Sequence, residues 1–209
     1  LLMTMHGMFW RFPKTFSAKR SAGIAPRSSY IRVIGDFARW GDRVVFGCDD
    51  TAKNEFFNTR RVKGEIAGPE VSQSNLWFLE PGKIDQLGAP IGRGAVWLRD
   101  DVKAKQASDA FLFSGFEQRM LHLTHQSASP VSFSLEVDRA GTGAWTPLRK
   151  IAVAAGGYEY LIFKPSEAGA WIRVVPEQDC LKAVGSYGLI GSFCLERKLP
   201  CLRWMKPCG

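Results

Sequence analysis

Val131-Ser132-Phe133-Ser134-Leu135-Glu136-Val137 alternates apolar and polar side chains without a break. Successive side chains of an extended chain point to opposite faces. The spacing therefore puts Val131, Phe133, Leu135 and Val137 on a buried face and Ser132, Ser134 and Glu136 on a wet one. A helix would need apolar residues recurring at about 3.6 positions, and no stretch of the chain supplies that pattern convincingly.

The same grammar runs outward in both directions. Upstream, Phe111 and Phe113 mark one strand, and Leu121 and Leu123 mark the next. Downstream, Asp138 to Trp145 is a tight connection with glycines at 141 and 143, after which Leu148, Ile151 and Val153 continue. Gly156-Gly157 turns the chain into Tyr158-Glu159-Tyr160-Leu161-Ile162-Phe163. Trp171-Ile172-Arg173-Val174-Val175 follows and ends at Pro176. About seven short strands at regular spacing predict an antiparallel β-sandwich over residues 95–193. Trp145 and Trp171 are expected in its core.

Residues 1–88 read differently. His6 to Phe12 is an aromatic-rich strand closed by Pro13, and residues 17–29 form a loop. Tyr30 to Trp40 and Arg43 to Asp50 are β-rich runs separated by Gly41-Asp42, a hairpin signal. A polar excursion at 53–74 returns through Asn75-Leu76-Trp77-Phe78. A Trp beside a turn and glycine at strand ends are features of a propeller blade. The expectation is all-β: a partial β-propeller, its last blade or two, followed by the sandwich. Residues 89–94, with Pro90 and two glycines, are the linker, and 194–209 form an irregular tail; deleting Leu195 to Gly209 should leave the melting temperature unchanged.

Composition narrows the function. No uncharged stretch of the chain is long enough for a membrane-spanning helix. The opening Leu1 to His6 lacks the regions of a signal peptide and reads as the interior of a strand, as if cut from a longer parent chain. A net charge of +8 admits a polyanion-binding surface. No RNP pattern or recognition helix accompanies it, which argues against nucleic acid. Cys48 and Cys180 sit in apolar strand contexts and read as buried thiols. Cys194, Cys201 and Cys208 lack the spacing and the histidines of a zinc site, so no metal and no cofactor is expected.

Several of these runs are similar to known sequences. His6 to Phe16, Tyr30 to Phe37, Val45 to Asp50, Ser74 to Phe78, Val131 to Val137, Gly156-Gly157-Tyr158 and Trp171 to Val174 resemble the C-terminal part of large uncharacterised bacterial proteins. In these a β-propeller-like domain precedes a β-sandwich. The resemblance spans residues 5–193. It implies architecture and an extracellular or periplasmic setting with glycans, and no chemistry.

Candidate site residues follow from residue type. His6, Trp10 and Arg11 on an aromatic strand would offer a stacking ring and a carboxylate-pairing cation. The plainer reading is that Trp10 packs in a core. Asp36, Asp49 and Asp50 are the carboxylates a glycoside-active fragment would use, although neighbours on a strand face opposite ways and turn capping is the simpler role. Arg39, Arg60 and Arg61 would meet an acidic partner. Asp138 to Gly143 has one carboxylate and reads as a hairpin turn rather than a calcium loop. His122 and His125 face opposite sides of a strand. No catalytic motif is present. The expected role is a non-catalytic binding or structural module, its partner a glycan or the rest of the parent chain. The alternatives are a glycoside hydrolase-like fragment and a basic polyanion-binding surface.

Overall fold

The computed structural model describes residues 1–49 and 74–191. The expectations at Asp50, Arg60 and Arg61, and for the tail at 194–209, lie outside the described residues. Within them the chain is all-β: fourteen strands in four antiparallel sheets, none closed, with a short 3-10 helix at Pro81–Gln86.

The first region holds two three-stranded sheets. β1 (Leu2–Met5), β2 (Met8–Arg11) and β3 (Ala25–Ser29) form one in that order. β4 (Val33–Trp40), β5 (Arg43–Asp49) and β6 (Ser74–Leu79) form the other. The predicted Gly41-Asp42 hairpin forms, with Trp40 paired to Arg43. The strand read over His6 to Phe12 is interrupted. Met5 pairs with Met8, leaving His6 and Gly7 as a two-residue turn at φ 51° and 72°. That is the twist a tight hairpin needs, and it moves His6 from strand to turn. Ala25 to Ser29, read as loop, pairs with β2 instead. Pro26 is tolerated because β3 is an edge strand, with no outer partner for its missing N–H. Phe9, Tyr30, Phe46, Cys48 and Ile84 form the small core of this region, Phe9 and Phe46 lying 5.1 Å apart by ring centroid.

The second region has eight strands: β7 (Ile91–Val102), β8 (Phe111–Leu112), β9 (Gln118–Thr124), β10 (Val131–Asp138), β11 (Trp145–Val153), β12 (Tyr158–Ile162), β13 (Trp171–Pro176) and β14 (Cys180–Ile190). They make two sheets, ordered β11-β10-β13-β8 and β12-β9-β14-β7. The alternation in β10 is as read: Val131, Phe133, Leu135 and Val137 are buried and the residues between them are not. These side chains share one core with the other sheet. Trp97 of β7 lies 6.2 Å from Phe133 of β10, and Tyr187 of β14 stacks on Phe111 of β8 at 4.6 Å. Each fully buried large apolar side chain contributes about 1.5–3 kcal/mol, so this core carries most of the stability of the region.

Two expectations change here. Trp145 and Trp171 are outside the core, each half-buried on the outer face of the β10 sheet. Ile172 and Val174 take the inward positions of β13, and a period of two then turns Trp171 and Arg173 outward. The Arg173 guanidinium lies over the Trp145 ring at 4.4 Å. Residues Ile91 to Gly94, read as linker, open β7 and pair with Ile190 to Tyr187. A Cβ on Gly94 would come within 2.7 Å of Phe111, so glycine here serves close packing rather than flexibility.

Candidate functional site

The residues singled out from sequence separate onto two sheets. Trp10 is buried in β2, its Nε1–H donating to the Met5 carbonyl at 3.2 Å. Its indole is therefore not an exposed platform for a sugar ring. His6 is exposed in the β1–β2 turn. Arg11 is exposed and lines a cleft of about 530 Å³ with Ala25, Pro26, Arg27, Asp85, Pro90 and others. Asp36 lies on β4, and its Oδ1 accepts the N–H of Phe37 at 2.7 Å, a local backbone role. Arg39 donates from Nε to the Gly41 carbonyl at 3.1 Å and lines a separate hollow with Asp42 and Arg43. Asp49 ends β5, paired with Val33 and Ser74.

The Arg11 cleft is electrostatically satisfied from within. Arg27 makes two parallel hydrogen bonds to Asp85, each 2.7 Å. Those bonds hold the Arg27 guanidinium above its ordinary range and the Asp85 carboxyl below the usual carboxylate range. Among the described residues no aromatic ring lines this cleft.

A different surface gathers exposed rings. Leu161 of β12 and Leu121 and Leu123 of β9 point inward, so Tyr158, Tyr160 and His122 point out. Antiparallel pairing aligns Tyr160 with His122, His122 with Ser186, and Ser186 with Ala95. The next rank is Ile162, Met120, Gly188 and Arg93. His122 stacks with Tyr158 at 5.9 Å and with Tyr160 at 6.2 Å, all three rings within 25° of parallel. Nδ1 of His122 shares a 2.5 Å hydrogen bond with the Tyr158 hydroxyl, which fixes the orientation of both rings. Tyr158 and Tyr160 nonetheless remain 56% and 59% exposed. Beside them a groove of about 400 Å³ runs over Ser186 and Gly188, between Met120 and His122 on one side and Ile91 and Arg93 on the other.

The opposite outer face is unlike it. There Arg173 pairs with Glu136 at 2.7 Å, and Glu177 takes hydrogen bonds from Ser134 and Lys105. Charges on that face meet one another, while the rings and Arg93 on the β9 face meet solvent.

Sequence reading missed this surface, although part of its signal was present. The inward leucines already implied that His122, Tyr158 and Tyr160 face outward. That β12, β9 and β14 are neighbours was not legible. Asp138 behaves as a turn residue, as read: its carboxylate accepts the N–H groups of Ala140, Gly141 and Gly143 at 3.2, 2.8 and 2.7 Å. Cys48 and Cys180 are both buried. Among the described residues no group of three His, Cys, Asp or Glu is placed to hold a metal ion, and no helix is long and apolar enough to cross a membrane.

No protein-family model matches the chain, and no curated protein does. Solved structures give weak likenesses. One is from work on Bacillus endospore appendages that form disulfide-linked pili, with 14% identity and a TM-score of 0.31 over 49% of this chain and 87% of the other. Another is the coat protein of Tobacco streak virus, with 10% identity and a TM-score of 0.33 over 56% and 94%. A third, from a study of CBM4 structure and function, has 6% identity and a TM-score of 0.20 over 77% of each chain. At these scores the likenesses establish neither fold nor function for this chain.

Proposed function

We propose that the chain is a non-catalytic β module that binds a glycan on the outer face of the β12-β9-β14-β7 sheet. In this reading the eight strands are a sandwich of jelly-roll order, and the two small sheets of residues 1–88 are blade-like pieces of a longer parent. The observation that carries it is the exposed stack of Tyr158, His122 and Tyr160 beside a groove floored by small residues. Aromatic rings offer apolar faces to the C–H face of a pyranose, and their hydroxyl and ring nitrogen reach its hydroxyl groups. Rings pre-oriented by stacking lose little freedom on binding, which favours a recognition surface over a packing accident.

The enzyme reading draws less support, because Arg11 and Asp36 stand on different sheets and Asp36 is engaged with its own backbone. The polyanion reading also draws less. Lys103, Lys105 and Lys182 are each paired, with Asp179, Glu177 and Asp101 respectively.

The test is an NMR titration of the full chain with hexasaccharides of cellulose, chitin and galacturonan. Resonances of His122, Tyr158 and Tyr160 are expected to move with at least one of them. Tyr160→Ala should weaken that binding tenfold or more, the equivalent of about 1.4 kcal/mol. Shifts confined to other surfaces, or none at all, would sink the proposal.

A further inference from the structure

Among the described residues that line the groove, only Arg93 carries a formal charge, and none is a carboxylate. Arg93 is exposed and makes no ion pair with the described residues. That sets it apart from Arg27, Arg149 and Arg173, each tied to a carboxylate. Its place is fixed by register. Arg93 pairs with Gly188, which pairs with Met120, one rank along from the Ala95, Ser186 and His122 row. It therefore stands two strands from the His122 edge, a span of about 9.6 Å at ordinary strand spacing.

Resting on the glycan reading above, we infer that the ligand is acidic: a hexuronate-bearing glycan whose ring lies along Tyr160 and His122 and whose carboxylate meets Arg93. The planar guanidinium presents two parallel N–H donors, which match a carboxylate and not a hydroxymethyl group. Gly188 makes room for the ring. A Cβ added there would meet only the Met120 Cε, at 3.8 Å, so the floor is open above that position.

The experiment is calorimetric titration of the full chain with trimers of galacturonic and glucuronic acid, with their methyl esters, and with triglutamate. An acid trimer is expected to bind about tenfold to a hundredfold more tightly than its ester, the usual worth of a charge-assisted pair. Arg93→Gln should remove that difference, and Arg93→Lys should restore part of it. Gly188→Val should abolish binding of acid and ester alike, with the melting temperature unchanged or raised. Equal affinity for acid and ester would overturn the acidic assignment and leave the glycan reading standing. Triglutamate binding as tightly as the trimers would overturn it in favour of charge alone. No binding of any sugar would end both.

Discussion

The Trp171 indole Nε1–H donates to the Ser21 hydroxyl at 2.9 Å, joining residues 150 positions apart. Ser21 donates onward to the Gly141 carbonyl, from Oγ at 3.1 Å and from its backbone N–H at 2.7 Å. One serine in the loop before β3 thus ties the first region to β13 and to the β10–β11 turn. Ser21→Ala would leave the half-buried indole N–H without its partner, and should lower stability by about 1–2 kcal/mol. Denaturant titration checks this: the midpoint should fall with the slope unchanged. Gly141→Ala should cost more, since φ there is 66° and a Cβ would lie 2.2 Å from the Ala22 nitrogen.

Asp138 holds the β10–β11 turn from within. Its carboxylate is buried and accepts three backbone N–H groups. Removing it strands those donors, so Asp138→Ala should destabilise by about 2–4 kcal/mol. Asp138→Asn keeps one acceptor oxygen and should lose less. Equal losses in the two variants, read from thermal melts, would show that the role is packing and not acceptance.

Glu177 sets a pH dependence. The hydrogen bond from Lys105, and then that from Ser134 at 2.6 Å, bring its carboxyl down from the ordinary 4.5 to about 2. A carboxylate whose folded value lies below its unfolded one binds fewer protons in the folded chain. Its contribution is full above the unfolded value and is lost as pH falls toward the folded one. Glu177→Gln should therefore be less stable than the native chain at pH 7, and the two should converge between pH 4.5 and about 2. Parallel stability curves over that range would contradict the assignment.

Particular residues show how far the sequence carried. The β10 alternation, the Gly41-Asp42 hairpin and the Asp138 turn were legible because each depends on a few adjacent residues. The His6-Gly7 turn was hidden inside an aromatic run. Its signal, a positive φ at His6, is a backbone state that residue type alone does not announce. β3 was hidden by Pro26, whose low strand propensity is harmless only at an edge, and edges are defined by which strands pair. Trp171 was misplaced because its bulk suggested a core, whereas its neighbours Ile172 and Val174 already claimed the inward positions.

The candidate site divides in the same way. The sequence by itself determined the β class, the strand alternation and the outward direction of His122, Tyr158 and Tyr160, since a period of two fixes faces locally. It did not determine that β9 lies between β12 and β14, or that Arg93 stands across Gly188 from Met120. Backbone hydrogen bonds are alike for every pair of strands, so they do not select partners. Tertiary structure made that choice, by the joint packing of Trp97, Phe133, Phe111 and Tyr187 in one core, and the ring stack and its groove exist only because of it.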